Sequence, residues 1–221
     1  MNEGLVDGDY LRLCVEARIA LADLVTVDRE LSATERHTDT FIVMTKHALL
    51  VLANAYDLET AVRRVYLTHY DLSELYKPLE KQLAFARYLR NIYVGHVNRE
   101  LVEKAIEWKP EVVTIAPLKE QDEPANIIIN LALLETAINS FVDVDGKQKV
   151  FGGDTDLNYP PDATRFLVFL TESVHGTISY LKALVAALQS HLEPPQSHEE
   201  NMELFVKAGM TDFRFLTKGR R

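Results

Sequence analysis

The sequence predicts a mainly α-helical protein, an up-and-down helical bundle with a small β-hairpin insert. Apolar residues recur every three or four positions through most of the 221 residues, which is typical of amphipathic helices. Two short segments alone have the β-branched residues or turn signals of strands. There is no internal repeat or low-complexity segment, so one bundle is the simplest architecture.

The first two helices are predicted from long apolar patterns. Asp9 to Leu31 has an apolar stripe with no internal glycine or proline, which predicts a helix. Thr38 to Tyr56 is apolar on nearly every side, which predicts a helix buried in the middle of the bundle. The longest purely apolar runs, such as Ala48 to Ala53, are far shorter than the ~18 residues that span a bilayer. No membrane span is therefore expected.

A further helical stripe extends from Ser73 to Val94, where apolar residues follow one another at intervals of four or three. Ser73 is the expected N-cap. Pro78 disfavours the helical conformation of the residue before it, so the regular helix is expected to begin near residue 77, with Pro78 in its first turn. Asn98 to Trp108 predicts the next helix, which Pro110 ends.

A β-containing insert is predicted over about residues 110–160. Val112 to Ala116 is short and β-branched, as strands are, and Phe141 to Phe151 predicts a hairpin around Asp145-Gly146. Between these two segments, Pro124 to Ser140 has apolar residues at helical spacing. The insert therefore combines one helix with a small β structure.

The longest helix is predicted to begin at Pro161-Asp162 and to stop at Glu193-Pro194-Pro195. These signals divide the chain into a single bundle domain over residues 1–192 and a C-terminal tail over residues 193–221. The tail contains one short amphipathic helix around Met202 to Val206.

The composition indicates a reducing, cytoplasmic environment. Met1-Asn2-Glu3-Gly4 is acidic where a signal peptide is basic, so secretion is not expected. The single cysteine, Cys14, cannot form an intramolecular disulfide and is expected to be a buried thiol. The net charge of −9 disfavours a broad surface that coats duplex nucleic acid, although a local basic site remains open.

The candidate site is the segment YLRNIYVGH at positions 88–96, which has Arg90, Asn91 and His96 at a predicted helix end. A neutral imidazole can remove a proton from a ribose 2′-hydroxyl. A guanidinium can hold two phosphate oxygens while charge builds on a phosphorane, and an adjacent amide can orient the histidine or hold the phosphate. These residue types are sufficient for a phosphate site that needs no metal.

This segment resembles the R-(polar)-x-H signature of the HEPN superfamily, the higher eukaryotes and prokaryotes nucleotide-binding domains. In that family the arginine is followed by Asn, His or Asp, and the histidine comes after four to six intervening residues. Arg90, Asn91 and His96 match this pattern with five intervening residues. The resemblance covers the motif and the general helical plan over residues 9–108.

The resemblance implies a metal-independent endoribonuclease of a toxin or phage-defence type, with no cofactor, that cleaves RNA by 2′-hydroxyl transesterification. In that case Arg90 stabilises the phosphorane, His96 acts as base or acid, and Asn91 orients them. It also implies a homodimer whose two motifs face one cleft. The expected partners are RNA or a nucleotide, together with an antitoxin or a nucleotidyltransferase.

Other interpretations of these residues stay open. In a purely structural interpretation, Arg90 would pair with a carboxylate at the bundle edge and His96 would cap the preceding helix. A non-catalytic HEPN-like module would instead bind a nucleotide or a protein partner. Arg63 and Arg64 also have a histidine, His69, at the required spacing, but Asn, His or Asp follows neither arginine.

Two geometric points complete the sequence-based prediction. On a regular helix Arg90 and His96 would point about 120° apart, so they converge only if the helix breaks, for which Gly95 is the candidate, or if a second subunit contributes. Glu172-x-x-His175 has the spacing of a carboxylate-bridged metal site but lacks the second such pair, so a solvated or packed helix face is expected there and no metal.

Overall fold

The computed structural model describes residues 7–118, 123–194 and 197–208, and these residues are mostly helical. The α-helices are, in chain order, α1 (Asp7–Ala33), α2 (Asp39–Val62), α3 (Tyr70–Tyr76), α4 (Glu80–Leu89), α5 (Arg99–Trp108), α6 (Pro110–Ile115), α7 (Glu123–Asn139), α8 (Pro160–Gln189) and α9 (His198–Ala208). Short 3-10 turns occupy Val65–Leu67 and Lys77–Leu79, and a π-helical turn occupies Arg90–Val94. The prediction of a mainly helical bundle is confirmed.

Helix α2 is the central element. Thr38 caps its N-terminus, since the Thr38 hydroxyl accepts a hydrogen bond of 3.1 Å from the Phe41 amide. The helix packs against α1, α4, α7 and α8, as its nearly all-round apolar pattern predicts. Its length and composition would also suit a membrane span. Half of its most apolar 18-residue stretch is buried in the bundle, however, as in the core helix of a soluble protein.

Helices α1 and α8 pack along each other on one side of α2, and both were predicted within a few residues of their bounds. Cys14 is buried in α1, as expected. In α8, a Cβ atom at Gly176 would lie 2.5 Å from Cδ2 of Leu79, in the second 3-10 turn. Glycine at this position allows the turn and the helix to approach closely.

The stripe from Ser73 to Val94 is not one helix. Helix α3 begins at Tyr70, so Ser73 lies inside it and is not the N-cap. Pro78 lies in the 3-10 turn Lys77–Leu79, because proline has no amide hydrogen to continue an α-helix, and α4 begins at Glu80 instead of near residue 77.

The strand predicted from Val112 to Ala116 is wrong, because Val112 to Ile115 belong to α6. Pro110 is the first residue of α6, where its fixed φ angle favours a helix. Val112 is buried, and α6 packs against α5 and α7. Packing and the proline therefore outweigh the β propensity of the valines.

The predicted hairpin is reduced to a turn with one antiparallel bridge, between Val142 and Gln148, and the described residues contain no strand. Gly146 has a φ angle of 77°, in the left-handed region that favours glycine, so the turn itself is where the sequence predicts it. The Gln148 side-chain oxygen accepts hydrogen bonds from the Val150 amide at 2.7 Å and from the Phe151 amide. These two amides therefore cannot donate to a β-ladder, and the hairpin does not extend.

The remaining helices agree with the sequence. Helices α5 and α7 match the predicted segments, and the Asn98 side chain caps α5 by accepting a hydrogen bond of 2.7 Å from the Glu100 amide. The predicted tail helix forms part of α9. Residues 195–196 and 209–221 of the tail lie outside the described residues, and the division into a domain and a tail stays a prediction.

Candidate functional site

Arg90 begins a π-helical turn at the end of α4. The Gly95 amide donates a hydrogen bond of 2.8 Å to the Arg90 carbonyl, five residues back instead of the four of an α-helix. The regular helix therefore breaks, and the break begins at Arg90 itself. A Cβ atom at Gly95 would lie 3.1 Å from the Arg90 carbonyl oxygen, which leaves little room for a side chain there. Turns of this kind are frequent at functional sites.

Tyr93 anchors this π-helical turn to the bundle. Its buried hydroxyl lies 3.1 Å from the carbonyl oxygen and 3.0 Å from the side-chain oxygen of Asn130, in α7. Lys46 of α2 donates to the same side-chain oxygen, and its ammonium lies 4.8 Å from the centre of the Tyr93 ring. Burial lowers the pKa of Lys46 and raises the pKa of Tyr93. The turn is thus fixed to both α2 and α7.

The Arg90 guanidinium lies in a cluster of polar side chains. Its Nη1 donates a hydrogen bond of 2.6 Å to Asp57 Oδ2 and lies 3.4 Å from Asn54 Oδ1. Its Nε and Nη2 lie 3.2 Å and 3.1 Å from Asn91 Oδ1. Arg87 Nε lies 3.0 Å from Asp57 Oδ1. We call these five residues the Arg90 cluster.

The Arg90 cluster combines a positive charge with an acidic partner. Two guanidinium groups share the single Asp57 carboxylate, so the cluster carries one net positive charge. Arg90 is 20% exposed, and of its five N–H groups one on Nη2 has no acceptor among the described residues. The guanidinium is therefore held firmly and still has a free donor for an anion.

The structure brings Arg90 and Asn91 together but does not bond His96 to either of them. His96 is exposed and makes no hydrogen bond or ion pair with any residue of the described ranges. It therefore does not cap the preceding helix, whereas the alternative in which Arg90 pairs with a carboxylate is observed. The His96 imidazole is open to a ligand or to another chain.

A groove of about 190 Å³ adjoins the motif. Ile92 and Asn98, which flank His96 in the sequence, line it together with Lys104 and Trp108. The Lys104 ammonium lies 5.4 Å from the centre of the Trp108 ring, and Trp108 is 47% exposed. An exposed indole beside a cation offers a surface on which a nucleobase can stack.

The other candidates from the sequence have different surroundings. Arg63, of the second spacing match, pairs with the buried Glu59 at 2.9 Å. His175 Nε2 lies 2.8 Å from Asp28 Oδ1 on the surface. Within the described ranges, no three or more His, Cys, Asp or Glu side chains are grouped so as to hold a metal.

Sequence reasoning missed Asn54 and Asp57. Both are polar residues three positions apart in the otherwise apolar middle of α2, a spacing that places them on one helix face. Both residues are exposed, and a pair of polar residues on one face of an otherwise apolar helix is the signal that could have identified this surface.

Comparison of the chain with protein-family models, with curated proteins and with solved structures finds no match. The function is therefore inferred from the residues of the site and their geometry.

Proposed function

We propose that this protein is a HEPN-like, metal-independent endoribonuclease of a toxin or phage-defence type that acts in the cytoplasm. The observation that carries the proposal is the π-helical turn at Arg90. It breaks the helix inside the motif, holds the Arg90 guanidinium beside Asn91, and leaves His96 exposed without a hydrogen-bond partner.

The proposed reaction uses only groups of the chain. The His96 imidazole takes the proton of a ribose 2′-hydroxyl, and the 2′-oxygen forms a bond to the adjacent phosphorus. The bond from phosphorus to the 5′-oxygen breaks, and that oxygen leaves with a proton from an acid. Arg90 stabilises the charge on the phosphorane, and Asn91 orients the guanidinium. The products are a 2′,3′-cyclic phosphate and a 5′-hydroxyl.

The proposal includes a homodimer. Within one chain His96 has no bond to Arg90, and a reaction of this kind needs both a base and an acid. A second copy that faces the first would supply another His96, so that one imidazole removes a proton while the other donates one. An antitoxin or a nucleotidyltransferase would control such an enzyme in the cell.

A second candidate function is favoured by Asp57. Its carboxylate already binds Nη1 of the Arg90 guanidinium at 2.6 Å, so a phosphate that uses Nη1 as well as the free Nη2 donor must compete with it. A non-catalytic HEPN-like module that binds a nucleotide or a protein partner would tolerate this competition, because it need not stabilise a phosphorane. The two functions differ in whether RNA is cleaved.

The decisive experiment incubates the purified protein with end-labelled single-stranded RNA in EDTA. We expect fragments with 2′,3′-cyclic phosphate ends, and a loss of at least about 100-fold in rate for His96→Ala and for Arg90→Ala. Arg29→Ala is the matched control, because Arg29 also pairs with a carboxylate, that of Glu30 at 3.0 Å, but lies outside the Arg90 cluster.

Each variant is first checked by thermal unfolding. His96 is exposed and unbonded, so His96→Ala should change Tm by no more than a few degrees. If the wild-type protein, freed of any copurified partner, binds the RNA without cleaving it, the non-catalytic function is favoured. If Arg29→Ala loses as much activity as Arg90→Ala, the assignment of Arg90 is wrong.

A further inference from the structure

A separate pocket of about 230 Å³ lies at the other end of α2 from the Arg90 cluster. Thr45, in its wall, precedes Asn54 of the cluster by nine residues, which corresponds to about 13 Å along the helix. Most of the lining is apolar and comes from α2, α7, α8 and the loop before α8: Phe41, Ile42, Leu131, Leu134, Leu157 and Phe166.

The pocket contains a buried polar group without a partner. Thr45 is 2% exposed, and its hydroxyl oxygen makes no hydrogen bond within the described part of the chain. Buried hydroxyl groups nearly always have a partner, because losing the hydrogen bonds to water is costly. A polar atom of a bound molecule would provide the missing partner.

Two basic residues line the same pocket. Arg36 is exposed and forms no hydrogen bond or ion pair with any other residue that the structure describes. His37, next to it, has a φ angle of 69°, in the left-handed region that non-glycine residues rarely adopt. Strained backbone of this kind is concentrated at ligand sites. The pocket thus combines an apolar chamber with the guanidinium of Arg36, which has no acidic partner among the described residues.

The size of the pocket limits its ligand. An apolar cavity of about 150 Å³ holds a benzene molecule, so a space of about 230 Å³ accommodates an aromatic ring and a short chain. The guanidinium selects a carboxylate, which it can bind through two parallel hydrogen bonds.

We propose that this pocket binds a small monocarboxylate with an apolar body, an arylalkanoate in size and chemistry. The ring lies among the apolar residues of the chamber, and the carboxylate pairs with Arg36 and also accepts a hydrogen bond from the Thr45 hydroxyl. This site is independent of the proposed ribonuclease activity, since it shares no residue with the Arg90 cluster.

The test is isothermal titration calorimetry of the full chain with 3-phenylpropionate, beside its neutral amide. We expect saturable binding of the carboxylate, about 10-fold weaker binding in Arg36→Gln, and no such loss in Arg18→Gln. Arg18 is an exposed arginine outside the pocket, so its substitution makes the same change in net charge.

Thr45→Val gives a second test, in which the melting temperature and the affinity for the carboxylate change in opposite directions. It removes the unpaired hydroxyl, so the unliganded protein should melt at a higher temperature while the carboxylate binds several-fold more weakly. Absence of saturable binding, or equal affinity for the carboxylate and the amide, would overturn the proposal. Equal losses in Arg36→Gln and Arg18→Gln would also overturn it.

Discussion

Replacement of Asp57 by asparagine removes a negative charge from the Arg90 cluster and keeps its shape, since the amide oxygen can still accept from Arg90. A phosphate bound to the free Nη2 donor of Arg90 would lie roughly 5 Å from the Asp57 carboxylate, which pairs with the neighbouring Nη1 at 2.6 Å. At that distance the repulsion is about 0.8 kcal/mol in water and about 3 kcal/mol at an effective dielectric constant of 20.

The exposure of Asp57 decides between these values. Its side chain is 43% exposed, so a repulsion of about 1 kcal/mol, near the value for water, is appropriate. We therefore expect Asp57→Asn to bind single-stranded RNA about 5-fold more tightly. The lost ion pairs should cost about 0.2–1 kcal/mol of stability, because exposed pairs contribute little.

The assay is fluorescence anisotropy with labelled RNA in a His96→Ala background, in which the RNA stays intact. Asp23→Asn is the matched control. Asp23 and Asp57 both line a second groove, of about 460 Å³ between α1 and α2, and have the same charge. Asp23 lies 4.0 Å from His47 Nε2 and makes no ion pair with Arg90. The gain for Asp57→Asn should shrink as salt is raised. Equal gains for both variants, or weaker binding by Asp57→Asn, would refute the role of Arg90 as a phosphate ligand.

Two predictions concern stability. Burial raises the pKa of Tyr180, whose hydroxyl lies 2.7 Å from that of Tyr66, so the folded protein keeps this proton above pH 10, where the unfolded chain loses it. The free energy of unfolding therefore falls as the pH rises, and urea unfolding should show a loss between pH 8 and pH 11 that is about 1.4 kcal/mol smaller for Tyr180→Phe than for the wild type. Equal losses for the two proteins would contradict this. Glu135 is buried and pairs with Lys109, which is 20% exposed. Glu135→Gln leaves the Lys109 ammonium without its carboxylate, so it should cost about 1–3 kcal/mol and lower Tm by about 3–10 °C in calorimetry. An unchanged Tm would exclude a stabilising pair.

Long helices were predictable because their pattern repeats over many turns. In α8 the apolar stripe continues through thirty residues between a proline start and a proline stop, and local exceptions do not change it. Helix α6 has six residues and two adjacent valines, so local propensity favours a strand. Its actual conformation depends on Pro110 and on packing against α7, which a short window of sequence does not contain.

The candidate site was predictable only where it is local. Arg90 and Asn91 are neighbours in the chain, and their contact follows from that. Asp57 lies 33 residues before Arg90, and their pairing depends on which face of α2 meets α4. The π-helical turn depends on Tyr93 and its partner in α7, so periodicity alone predicts an ordinary helix there. The approach of His96 to Arg90 across a dimer stays a prediction.

The central position of α2 has a consequence for biosynthesis. Of the helices that cover it, α1 alone precedes it along the chain, while α4, α7 and α8 follow. At translation rates of about 5–20 residues per second, the ribosome needs roughly 6–25 s to add residues 63–189. During that interval α2 lacks most of its neighbouring helices, so much of its apolar surface stays uncovered until α8 has been synthesised.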